Sequence, residues 1–183
     1  RFITNFEFMT SPNSWLTLIA RAGVDHYGET KSEFMTPGSA SGAFTAGFID
    51  QSTATNTIFN SDFIAKTSFN LKDIIDGSFL LGFNYNSKSR KVNGVEGNGF
   101  IQFLDVASGL RDIDNTLIEN TVVNSTFGQE RTAGLYSSLS FSVYDMFYVD
   151  STIRIENAST FGENSDNPFL FPSTSLAWQF SQL

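Results

Sequence analysis

The 183 residues include no cysteine. A disulfide framework, a thiolate metal site and a cysteine nucleophile are thereby excluded. Only one histidine is present, His26, too little for a His-rich metal centre or a His-based catalytic pair. Proline is scarce, at 4 residues, and charged side chains make up 16% of the chain, against roughly 25% in an ordinary soluble domain. Basic residues number 11 against 19 acidic ones, a net charge of −8. Phosphate neutralisation needs clustered Lys and Arg, so nucleic acid is excluded as a partner. No apolar run approaches the roughly 20 residues of a membrane-spanning helix. What is abundant is phenylalanine, 20 residues, within a 40% hydrophobic share that rules out a disordered acidic tail. The length suits one domain rather than two. With Arg1 in first place and no secretory leader pattern, the chain is expected to be a piece of a longer polypeptide.

The apolar residues follow a period of two, not a helical one. From Trp15 to Tyr27, even positions read Leu16, Leu18, Ala20, Ala22 and Val24, whereas Arg21, Gly23 and Asp25 fall on odd positions. Six further segments split in the same way. Phe2, Phe6 and Phe8 alternate with Asn5 and Glu7. Phe59, Phe63 and Phe69 alternate with Asn60, Asp62 and Lys66. Phe79, Leu81, Phe83 and Tyr85 oppose Gly82, Asn84 and Lys88. Leu135, Leu139 and Phe141 oppose Tyr136, Ser138 and Ser140. Phe147, Val149, Ile153 and Ile155 oppose Asp150, Arg154 and Glu156. Leu170, Leu176, Trp178 and Phe180 oppose Ser173 and Ser175. The reading is all-β, with seven antiparallel strands of roughly 10 to 13 residues. A tilted strand crossing a bilayer needs about 9–11 residues, whereas soluble strands average about 5–6.

The connections sort by length. Ser11 to Ser14, Leu71 to Gly77, and Tyr144-Asp145 are short. Long loops are expected at residues 28–57, at 89–130, and over about 11 residues from Ala158. Short turns at one end and long loops at the other mark an outer-membrane barrel. In that reading the charged strand residues Arg21, Asp25, Asp62, Lys66, Asp150, Arg154 and Glu156 face the lumen, because Arg or Lys on the lipid face near the midplane costs about 2–4 kcal/mol. Arg131 is the exception on the apolar face, at the loop end of its strand. Trp178, Phe180 and Phe147 are expected in an aromatic girdle at the short-turn end, and Phe169, Phe171 and Tyr85 in one at the long-loop end. Bacterial single-chain barrels have an even number of strands, from eight upward. Seven strands are therefore expected to form part of a larger barrel. The rival is a secreted β-sandwich, such as a carbohydrate-binding module, with its apolar face turned into a core. A passive porin is a third reading.

No catalytic constellation stands out. Asp150 and Glu156 are six residues apart on one strand, roughly 20 Å, too far to flank one glycosidic bond. The acidic run Asp112-Ile113-Asp114-Asn115 with Glu119 lacks the spacing of a calcium loop. The glycines of 94–99 precede no helix and are expected in an outer loop rather than a phosphate cradle. Catalytic, cofactor and metal sites are all expected to be absent.

The last third of the chain carries a family signature. Tyr144-Asp145-Met146-Phe147-Tyr148 is followed by Arg154-Ile155-Glu156-Asn157-Ala158-Ser159-Thr160-Phe161-Gly162, then by Phe171-Pro172-Ser173-Thr174-Ser175-Leu176-Ala177-Trp178. This resembles the barrel signature of the SusC/RagA-type TonB-dependent outer-membrane transporters of Bacteroidetes, where Y-x-D/N-x-Y is followed by R-x-D-G-S-S-x-F-G and F-P-S-x-S-x-x-W. Trp15-Leu16 with Gly23-Val24-Asp25-His26-Tyr27 is similar to another hairpin of that family. Glu156-Asn157-Ala158 departs from the usual Asp-Gly-Ser, at the start of an outer loop. The resemblance implies a segment of the wall of a 22-stranded, plugged barrel, with the plug domain and its TonB contact outside residues 1–183. It implies import of oligosaccharides, peptides or other large nutrients across the outer membrane. It also implies a SusD-like surface lipoprotein as lid, lipid as the outer partner, and no enzymatic activity.

Overall fold

The computed structural model describes residues 1–40, 46–72, 74–101, 111–162 and 168–180. Seven strands form one sheet in chain order, β1-β2-β3-β4-β5-β6-β7. They are β1 (Phe2–Asn13), β2 (Leu16–Met35), β3 (Phe48–Leu71), β4 (Ile75–Asn98), β5 (Thr121–Val143), β6 (Phe147–Ala158) and β7 (Phe169–Trp178). Two single 3-10 turns, Ile113–Asn115 and Ile118–Asn120, precede β5. Among the described residues there is no second sheet to close a sandwich core, which overturns the β-sandwich alternative.

The chain divides into two compact units. The first holds Arg1, His26–Thr57 and Ser89–Gln129; the second holds Phe2–Asp25, Ile58–Lys88 and Glu130–Leu183. The seven alternating segments of the sequence fall in the second unit. Its strand phase follows the alternation: Leu135 pairs with Ile155, Val149 with Leu176, and Phe147 with Trp178 on one face, while Tyr136 pairs with Arg154 and Ser140 with Asp150 on the other. Directly opposed residues share a face in an antiparallel ladder, so each strand contributes its apolar set to the same side.

The strand lengths differ from the expectation. β1, β6 and β7 have 12, 12 and 10 residues, but β2, β3, β4 and β5 have 20, 24, 24 and 23. Both ends of each expected long loop, 28–35 and 48–57, 89–98 and 121–130, are therefore strand, and the expected loop at 94–99 is strand up to Asn98. These stretches are rich in Ser, Thr, Asn and Gly, so the apolar alternation lapses while the strands continue. The expected turn at Ser11 to Ser14 also narrows, since β1 runs to Asn13 and β2 starts at Leu16.

In the first unit, Ile49, Ala54 and Phe100 are the only buried apolar residues among those described anywhere in the chain. The Phe34 ring lies 5.3 Å from that of Phe100, and the Arg111 guanidinium covers Phe34 at 4.9 Å. Gly47 lies under the Phe100 ring at φ +93°, where a Cβ would meet ring carbons at 2.0 and 2.3 Å. Only glycine fits this backbone and this approach. Lys31 donates to Asp50 at 2.8 Å and pairs with Glu33 at 3.0 Å. Those carboxylates, Asp50 first, hold the Lys31 ammonium above the usual lysine value.

In the second unit, neighbouring short turns are tied by backbone bonds. Ser68 N–H donates to Trp15 O at 3.0 Å, Tyr144 N–H to Ile74 O at 2.8 Å and Gln179 N–H to Met146 O at 2.8 Å. Tyr144 and Asp145 both hold left-handed backbone, at φ 54° and 51°, which a non-glycine residue adopts at a cost of roughly 1 kcal/mol. Asp145→Gly is accordingly expected to stabilise the protein by roughly 0.5–1 kcal/mol, measured as a higher denaturant midpoint; a lower midpoint would show that the Asp145 side chain stabilises the turn.

Candidate functional site on the polar face

The two faces of the second unit differ in kind. On one face Phe6, Phe63, Leu81, Phe83, Leu135, Ile153, Leu176 and Trp178 stand exposed. Among the described residues this unit buries no large apolar side chain at all. Water does not stabilise so wide an apolar surface on a monomer. Where hydroxyls fall on this face they bond locally: Ser151 Oγ reaches Ser173 O at 3.4 Å and Thr174 Oγ1 at 3.2 Å. At the short-turn end Phe147 stacks on Trp178 at 5.8 Å and Trp178 meets Phe180 edge-on at 6.1 Å, an aromatic cluster where a girdle was expected.

The expected girdle at the other end is only partly there. Tyr85 lies against Phe59 at 6.2 Å, and both have apolar-face parity. Phe169 and Phe171 do not, because they pair with Glu156 and Arg154 across the β6–β7 ladder. The parity that puts Trp178 beside Phe147 leaves them on the polar face, and Phe169 meets Phe161 edge-on at 4.6 Å.

The polar face gathers the sequence-derived candidates. Arg21 Nε donates to Glu7 Oε2 at 2.5 Å from β2 to β1. Asp62 of β3 accepts from Asn84 Nδ2 of β4 at 2.8 Å, and Asn86 donates to Asn60 beside it. Arg21, Asp25 and Asp62 line one open recess of about 340 Å³ with Asn5, Glu7 and Asn60. Asp150 lines another of about 300 Å³ near the short turns, with Asp76, Ser78, Ser140, Ser142 and Tyr148. Arg154 donates to Glu156 at 2.6 Å along β6. Lys66 shares the parity of Asp62 on β3. The seven candidates are thus spread along one face rather than focused on a point.

The seven candidates left out several residues on this face. Glu7, Asn84 and Asp76 complete the pairs and recesses just described, and Tyr136 lies over Gly82. The alternation already put Glu7, Asn84 and Tyr136 on the polar positions of their strands, but their pairings follow only from the register. Backbone also comes close here: a Cβ at Gly23 would meet the Asn5 side chain at 2.5 Å, and one at Gly134 the Arg154 guanidinium at 3.2 Å.

Chemically this face offers ion pairs, amides and hydroxyls, which bind polar solutes or another polar surface. Among the described residues no group of three or more His, Asp or Glu is placed to hold a metal ion. His26 Nδ1 is 2.9 Å from Thr57 Oγ1 within the first unit, and Asp112 precedes a single 3-10 turn that buries Asn115. The Glu7–Arg21 pair is half exposed, 48% on each side, and exposed pairs contribute about 0.2–1 kcal/mol. Arg21→Ala is expected to cost no more than about 1 kcal/mol, and the cost should vanish in molar salt. A larger, salt-independent loss would mean that Arg21 holds something besides Glu7.

No protein-family model matches the sequence, and no curated protein does. Solved structures do match. The chain aligns with one in the structure of the RagAB peptide transporter at a TM-score of 0.79 and 20% identity, covering 94% of this chain and 19% of that one. The chain shares the fold of a stretch of that transporter chain. The RagAB peptide importer in its closed-closed state gives a TM-score of 0.77 at 20% identity, covering 99% of this chain and 20% of that one. The open-open state gives 0.78 at 20% identity, with the same coverage. The chain therefore spans about a fifth of the length of the transporter chains it matches. At 99% coverage the match takes in β3, β4 and β5, which hold none of the residues of the sequence resemblance.

Proposed function

We propose that this chain is part of the barrel wall of a TonB-dependent, SusC-like importer in a bacterial outer membrane, and that its cargo is peptide. The observation that carries the reading is the apolar face of the second unit, which no surface among the described residues covers and which lipid would cover. A strand of about 9–11 residues crosses the bilayer, so the second unit accounts for the span. The remaining length of β2 to β5, in the first unit, then lies outside the cell. Arg21, Asp25, Asp62, Lys66, Asp150, Arg154 and Glu156 face the lumen in this reading, toward the plug and the passing solute. A SusD-like surface lipoprotein would be the outer partner, and TonB would act through a plug domain outside these residues. Peptide is preferred over oligosaccharide because peptide is the cargo named for the matching RagAB structures. None of the residues described carries out bond chemistry in this role.

Cysteine labelling of intact cells tests the orientation, since these residues contain no native cysteine. Thr30→Cys is expected to react with a membrane-impermeant maleimide on whole cells. Ser14→Cys, in a short turn, is expected to react only after the outer membrane is permeabilised. The reverse pattern would overturn the reading.

A further inference from the structure

We propose that residues 122–128 of β5 form a docking edge for extended cargo peptide, a proposal that rests on the importer reading above and assigns its peptide-contact surface. β6 pairs only with residues 132–143 of β5. Among the described residues, no strand lies beside 122–128 on that side. On the other side, Asn124 Nδ2 reaches Glu96 Oε1 of β4 at 3.5 Å and Ser125 Oγ reaches Asn93 Oδ1 at 2.9 Å. The segment thus belongs to the sheet and presents one row of backbone donors and acceptors outward.

Its composition is that of a strand made to be paired. Val122-Val123-Asn124-Ser125-Thr126-Phe127-Gly128 has no charge and no proline, the features by which proteins blunt an exposed edge. Val123 and Phe127 stand 78% and 66% exposed. The contrasting edge is in the same unit. β2 runs to Met35, and there Glu29, Lys31 and Glu33 punctuate the strand, with Glu29 paired to Arg90 and Lys31 to Asp50. Among the described residues, one edge is protected by charge and the other is left open and apolar.

The chemistry of the open edge specifies its occupant. Strand addition recognises an extended backbone by main-chain hydrogen bonds, with side-chain pockets at alternate positions. Val123, Ser125 and Phe127 share one face, so an added strand would find two apolar contacts roughly 13 Å apart. Backbone pairing reads little sequence, which suits mixed cargo. Seven residues of edge also fall far below the ~1,200 Å² of a stable protein interface, favouring a ligand that is held briefly over a permanent subunit.

The test uses the intact protein in detergent and a fluorescent heptapeptide of alternating Thr and Val. Its twin is N-methylated at alternate residues, which removes strand hydrogen bonds and keeps the side chains. We expect the parent peptide to bind at least tenfold more tightly than the twin, and Val123→Lys/Phe127→Lys to weaken it at least tenfold. Thr30→Lys, on the charged edge, should leave binding unchanged. Equal binding of the two peptides, no binding of either, or indifference to the double substitution would overturn the docking edge. The importer reading is judged separately, by the labelling pattern of Ser14→Cys and Thr30→Cys.

Discussion

Leu139→Arg is expected to prevent the protein from assembling stably in lipid, whereas Ser138→Arg, one residue away, is expected to be tolerated. Leu139 pairs with Ser151 on the apolar face, and Ser138 with Thr152 on the polar one. Leu139 is 36% exposed, with no protein layer over it among the described residues. It also lies four residues from the end of β5 at Val143, well inside a membrane strand of about 10 residues. An arginine at that depth costs about 2–4 kcal/mol on a lipid face, a factor of roughly 30 to 1,000 in the folded population. The same side chain at position 138 would meet water beside Tyr136 and Ser140 and change stability by about 0.5 kcal/mol or less. Urea unfolding of the intact protein in lipid vesicles reads both. Equal damage at 138 and 139 would mean that neither face meets lipid, and the membrane reading would fall.

This contrast rests on strand phase, which is the part of the fold that the sequence carries most openly. Wherever one face meets lipid and the other water, each residue is constrained by its parity. Leu135, Ile153, Val149 and Leu176 therefore announce their side by position alone. The same constraint made Arg21, Asp62 and Arg154 readable as polar-face residues. It lapses in the first unit. Ser, Asn and Gly at 89–98 break the apolar alternation, and such a segment reads as loop although β4 continues through it. Phe169 and Phe171 were misplaced for a different reason. Aromatic character suggested a girdle, but register is set by the whole strand, and Leu170, Leu176 and Trp178 outvote them. Side-chain partners were the least legible. Glu7 opposite Arg21 and Asn84 opposite Asp62 follow only once the strand pairing is known, because two phases agree with many registers.

Gly82→Ala tests the closest packing on the polar face, and its effect is expected to change sign with the residue at 136. A Cβ at Gly82 would lie 2.2 Å from Cζ of Tyr136, 2.4 Å from Cε2 and 2.6 Å from the hydroxyl oxygen. The ring is rigid, so it must swing off the strand as a whole, and overpacking of this kind costs about 1–3 kcal/mol. Without the ring the balance reverses. Gly82 sits inside β4 with no left-handed backbone to protect, and glycine in a strand interior is worse than alanine by roughly 0.5–1 kcal/mol. Gly82→Ala should therefore destabilise the native protein and stabilise the Tyr136→Ala variant, giving a coupling energy of roughly 1.5–3 kcal/mol. Denaturant midpoints of the four proteins in lipid complete the cycle. If Gly82→Ala acts alike in both backgrounds, the ring does not rest on the glycine, and Tyr136 projects into the water beside Asp62 and Arg154 instead. If the sign reverses, the phenol is seated across β4 and β5 and fixes their register from the polar side. Apolar packing does not do this on the opposite face, where no described residue covers the side chains.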